Sequence, residues 1–173
     1  MLAGIAVGCR ALLAVLLGLA LIGKVSSASA WRGFTDSLTE LPLLPKRRHP
    51  ELAVTVAAAE GVATVLLVLP GTGLAGLALA AVVLTAFTIV PAVSLRRGVQ
   101  LTCRCFGFRE AKMGLSHVLR NGVALCAAIV GIAASQAVGP TPAWGPVSIG
   151  LGVLVGIIFV GWDEIAYLLR PPT

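Results

Sequence analysis

The chain has 173 residues, of which 58% are hydrophobic and 12% charged, and it carries a net charge of +6. A soluble domain has about 25% charged residues, so a water-soluble globule is excluded; no stretch is long enough to fold into a basic surface for nucleic acid. Against a hydrocarbon core of about 30 Å the length supplies about four or five membrane-crossing helices, in a single integral membrane domain spanning 1–173.

The first apolar run is Ala11 to Gly23, with Arg10 before it and Lys24 after it. The segment Ser26-Ser27-Ala28-Ser29-Ala30 has the small-x-small form of a signal-peptide cleavage site. Lys24 separates the apolar core from that site, and the helix can continue through Ala28 and Ala30, so a retained first span is expected. Trp31, Phe34, Leu38 and Leu41 then recur at spacings of three and four, with Arg32, Asp36, Ser37 and Glu40 between them. This pattern predicts an amphipathic helix at the bilayer interface. Pro42, Pro45 and the run Lys46-Arg47-Arg48-His49 end it, and the run reads as an anchor to lipid phosphates.

Leu52 to Leu69 forms the second span, interrupted by Glu60, and Pro70, Gly71 and Gly73 make the turn after it. Gly73 to Leu95 is the third, free of charge, with Pro91 as a kink near its end. A basic loop runs from Arg96 to about Leu115, and Ser116 is a candidate N-cap for a fourth span ending near Gly139. Pro140, Pro142 and Gly145 break the chain before a fifth span, Val147 to Trp162, which Asp163, Glu164 and Tyr167 bring to the interface. The loops after spans one and three share one side and hold nearly all the Lys and Arg, whereas the loops around Gly71 and Pro140 hold none. Positive-inside would put the basic loop in the cytosol. Arg10 ahead of the first run, and the oxidising compartments where disulfide chemistry is at home, argue the reverse, and the side stays open.

Chemistry concentrates at Cys103-Arg104-Cys105-Phe106-Gly107. A thiolate is the reactive form of cysteine, and Arg104, Arg96, Arg97, Arg109 and Lys112 are placed to favour it. A disulfide closing so small a ring is strained and prone to exchange, so Cys103 and Cys105 are the candidate redox pair. The bland alternative is an inert pair or a small staple. A closed zinc site lacks ligands, because His117 is the only close imidazole. Glu60, deep among apolar residues, must be paired or protonated, with Lys24 and Arg120 as candidate partners. It could handle protons, or it could lock two helices. His117 and Asn121, four apart on one helix face beside Arg120, could both point at the dithiol loop, where an imidazole could take a thiol proton; a capping role is the ordinary alternative. Cys9 and Cys126 stand alone inside spans and read as small packing residues.

Arg10, Gly23-Lys24, Leu44-Pro45, Glu60, Cys103-Arg104-Cys105-Phe106-Gly107 and Arg120-Asn121, in this order, resemble the methylamine-utilisation protein MauE family, over about residues 8–138. That family is similar in turn to the DoxX-like four-helix membrane proteins. The resemblance implies an all-α integral membrane protein: a four-helix bundle with an amphipathic interfacial helix after the first span, to which a fifth transmembrane helix, about 146–163, is added here. It further implies a multi-pass protein of the cell (plasma) membrane. Its role would be thiol-disulfide exchange with a thioredoxin-like, MauD-like partner during maturation of a client such as the methylamine dehydrogenase small subunit. Cys103 and Cys105 would then be the redox pair, and Lys24, Glu60, Arg120 and Asn121 the supporting polar set. Arg104 departs from the Gly common at that position in the family. Two other readings remain at this stage: a non-enzymatic membrane adaptor or export factor, and a quinone-linked subunit. No residue implies a cofactor, and a quinone enters only through the DoxX-like resemblance.

Overall fold

A computed structural model describes residues 2–39, 49–96, 102–103, 111–112, 115–136 and 145–168. They are almost entirely helical: α1 (Leu2–Val25), α2 (Ala28–Thr39), α3 (His49–Val68), α4 (Gly73–Arg96), α5 (Leu115–Ser135) and α6 (Gly145–Leu168). Between α4 and α5 lie two short strands, β1 (Thr102–Cys103) and β2 (Ala111–Lys112). Four helices are long and apolar enough to cross a membrane, namely Leu2–Val25, His49–Val68, Gly73–Val93 and Val118–Ser135; Gly145–Gly161 is a shorter apolar fifth. The protein is an all-α multi-pass membrane protein.

Both faces of these helices are apolar, so packing decides what goes inside: alanines where helices approach closely and leucines at the centre. Ala53, Ala63, Ala80, Ala124 and Ala128 are buried, whereas Val54, Val62, Val65, Val82 and Val123 are exposed. Helix association gains little from hiding apolar surface where the surroundings are equally apolar, and close backbone approach takes over. Leu13, Leu16, Leu17, Leu77 and Leu84 fill the centre between α1, α3, α4 and α5. α6 lies against α1. A side chain on Gly152 would meet the Gly8 carbonyl oxygen and Ala11 Cβ, and one on Gly156 would meet Val15. The seam exists because these glycines are bare.

Several boundaries differ from the sequence reading. α1 begins at Leu2, so Arg10 lies inside the first helix instead of ahead of it. Its Nε donates to Leu67 O at 3.0 Å, and one terminal nitrogen, Nη2, donates to Leu67 O at 2.8 Å and Leu69 O at 3.0 Å. The last carbonyls of α3 have no helical donors, and this guanidinium supplies them. The cleavage-like serines form the bend between α1 and α2: Ser27 Oγ accepts the Ala30 N–H at 3.0 Å, an N-cap bond. Ser116 is within α5, which begins at Leu115, and α6 runs on through Asp163 and Glu164. α3 begins at His49 with Pro50 in its first turn, a position proline suits because its missing N–H has no helical acceptor there. Glu40, Leu41, Pro42, Leu44, Pro45 and the basic run 46–48 lie outside the described residues.

Candidate functional site

Lys24 is the next-to-last residue of α1, and Glu60 lies eleven residues into α3. Their side chains are fully buried, with Lys24 Nζ 2.7 Å from Glu60 Oε1 and 3.0 Å from Oε2. Of the two cations considered for Glu60, Lys24 takes both carboxylate oxygens. The ammonium also lies 5.3 Å from the Phe34 ring centroid of α2 and 5.6 Å from that of Phe87 of α4. Two aromatic faces therefore replace water around the charge. At about 1.5 Å per residue, α3 continues about 16 Å beyond Glu60 toward its own start. α2 packs on α1 and α3, with Phe34 only 1% exposed and its ring 5.9 Å from Trp31. The amphipathic helix thus covers the ion pair.

Asn121 corrects an expectation. Instead of pointing with His117 at the dithiol loop, it is buried and donates from Nδ2 to Phe87 O at 2.8 Å. The cause is Pro91. In a regular helix Phe87 O would accept the N–H of residue 91, which is a proline with no N–H to give. Asn121 supplies the missing donor across the α4–α5 interface, the form of repair a helix needs in lipid. Arg120, next to it, donates to Val160 O at 3.2 Å, and its guanidinium lies 5.4 Å from the Phe159 ring. It ties α5 to α6.

All these groups lie beneath one end of the bundle, the end that carries the basic loop. β1 and β2 pair antiparallel with Thr102 opposite Lys112 and Cys103 opposite Ala111, and α2 contacts β1. The ladder was not foreseen in the sequence, since two residues per strand carry no periodicity. It brackets residues 104–110 between two paired strands at the polar end of the molecule. Cys103 is described by its backbone alone, Cys105 lies outside the described residues, and so does the side chain of His117 in the first turn of α5. Cys9 fits its packing role: its Cβ would lie 3.0 Å from a side chain placed on Gly131. Cys126 does not, because it is exposed on the outer face of α5.

One residue escaped the sequence reading. His49, the last residue of the basic run in the sequence, is 2% exposed, and neither ring nitrogen has a hydrogen-bond partner among the described residues. The signal was Pro50: a proline in the first helical turn marks its predecessor as part of the helix head and not of a solvated tail. Both histidines of the chain thus head helices at the dithiol-loop end.

The model of the methylamine utilisation protein MauE family matches residues 2–134. The chain belongs to that family. The match runs from the start of α1 almost to the end of α5 and leaves α6 outside, so the MauE part is the bundle with α2 and the strand pair, and α6 is an addition packed on α1. No curated protein and no solved structure matches the chain. Membership marks the protein as a membrane protein associated with methylamine utilisation.

Proposed function

We propose that this MauE-family protein is a membrane thiol-disulfide exchange protein of the cell membrane, with Cys103 and Cys105 as its redox pair. The observation that carries the reading is the placement of Cys103 in a strand at the polar end of an otherwise apolar bundle, one residue from a second cysteine in a basic loop. The buried set of Lys24, Glu60 and Asn121 holds that end rigid by tying α1 to α3 and α5 to α4. A rigid base under a reactive loop is what directed exchange needs.

In the exchange, one thiolate of the pair attacks a disulfide of a thioredoxin-like partner. The partner's S–S bond breaks, one of its sulfurs leaves as a thiolate, and a mixed disulfide forms. The second thiolate of the pair then attacks its neighbour's sulfur, closes the Cys103–Cys105 disulfide and frees the partner as a dithiol. Two electrons pass to the partner; His117 or His49 can take a proton released by the attacking thiol. Run backwards, the same steps reduce the pair and oxidise the partner, which could deliver disulfides to a client such as the small subunit of methylamine dehydrogenase.

The test is capture. In a chain with Cys9 and Cys126 replaced by alanine, Cys105→Ser or Cys103→Ser should retain a thioredoxin-like protein as a mixed disulfide that dithiothreitol releases. If neither variant captures a partner and both keep full function in cells, the reading is wrong.

A further inference from the structure

At the end of the bundle opposite the dithiol loop, α3 and α6 flank α1 and leave a groove of about 650 Å³ between them. That lies within the range of about 300–1,000 Å³ that accepts a single ligand or chain. Its walls are apolar, including Ala11, Ala14, Leu67, Ile149 and Val153, with Arg10 and Thr64 as the polar exceptions. Thr64 is engaged elsewhere, its hydroxyl donating to Glu60 O at 2.8 Å. Arg10 is therefore the polar group the groove offers.

Three observations bear on what Arg10 holds. First, its Nε and Nη2 are committed to the carbonyls of Leu67 and Leu69, while among the described residues nothing accepts from the other terminal nitrogen, Nη1. Second, no acidic side chain pairs with it, since the ion pair seen among the described residues is that of Lys24 with Glu60. Third, residues 1–9, 61–95 and 121–162 contain no Asp, Glu, Lys, Arg or His, so Arg10 is the charged side chain of this end. The negative pole of α3 offsets part of its charge, while the positive pole of α4 starts beside it, with the guanidinium lying against Gly73. The remainder sits level with the turn between α3 and α4, where Nη2 reaches Leu69 O, which is the depth at which these spans end and a headgroup phosphate can lie.

We propose that this groove binds an anionic glycerophospholipid, with a phosphate oxygen accepting from Arg10 Nη1 and an acyl chain lying along α1 between α3 and α6. The charge makes the choice among lipids. A zwitterionic headgroup would bring an ammonium to a place that already holds a cation and supplies no carboxylate, whereas a phosphatidylglycerol-type headgroup brings net negative charge alone. Both headgroups offer the same phosphodiester to Arg10, so the preference rests on net charge: repulsion between the zwitterion's ammonium and the guanidinium is enough to set about a tenfold difference. The site is independent of the redox pair, at the far end of the molecule.

The test uses phosphatidylglycerol and phosphatidylcholine with the same photoactivatable acyl chain, reacted with the full-length protein in nanodiscs and mapped by peptide mass spectrometry. Mapping by position matters, because the basic end also attracts anionic lipid. Phosphatidylglycerol should label groove peptides of α1 and α6 about tenfold more than phosphatidylcholine. Arg10→Gln should abolish that preference. Ala14→Phe, which fills the groove and leaves Arg10 in place, should abolish the labelling by both lipids. Equal groove labelling by the two lipids in the unsubstituted chain, or labelling that persists in Ala14→Phe, would overturn the proposal.

Discussion

The buried residues that looked like chemistry in the sequence do structural work that can be measured. Lys24 and Glu60 desolvate each other completely, so removing one partner leaves an uncompensated charge inside the bundle. Lys24→Met or Glu60→Leu alone should each cost about 3–5 kcal/mol, and the double substitution should recover most of that loss. Unfolding in mixed micelles, followed for the four combinations, checks this. Asn121 and Pro91 make a second cycle. Asn121→Leu should cost about 1–3 kcal/mol by leaving Phe87 O without a donor. The same substitution in a Pro91→Ala background should be nearly neutral, because an alanine at that position restores the helical N–H. That Glu60 needs a partner was legible from its apolar surroundings, and Lys24 was one of two named candidates. The bond from Asn121 was not legible, because it depends on which carbonyl Pro91 leaves exposed on the neighbouring helix.

Among the elements, the helices were readable and their ends were not. Apolar runs of this length define spans, but where both faces are apolar no periodicity marks a boundary or a buried face. The first run appeared to start at Ala11 because Arg10 looks like a flank; α1 reaches back to Leu2 because Arg10 finds carbonyl acceptors on α3. The α1–α6 seam was legible only as a general abundance of glycine, whereas the contact between Gly8 and Gly152 is specific. Gly152→Leu should therefore weaken the docking of α6 on α1, seen as loss of a crosslink between cysteines placed in the two helices. Gly122→Ala should be silent or stabilise by up to about 1 kcal/mol, since nothing lies within 4 Å of an added Cβ there. The amphipathic α2 was the clearest element in the sequence, and its role as a cover over the ion pair follows from Phe34.

As a whole, the molecule is polarised. One end carries α2, the strand pair, both histidines and the basic loop, and the other carries Arg10 and an apolar groove. The polarity of charge was readable in the loops, and the family was readable from the order of a few polar residues and the Cys103–Cys105 spacing. What the two sulfurs do follows from neither, and a redox titration decides it most directly. The chain with Cys9 and Cys126 replaced by alanine is equilibrated in glutathione or dithiothreitol buffers, and its free thiols are tagged for mass spectrometry. Cys103 and Cys105 should lose their thiols together in one two-electron step, tenfold in equilibrium constant per about 30 mV, at a potential above about −300 mV where exchanging disulfides lie. Two thiols that titrate separately, or that remain reduced throughout, would contradict it.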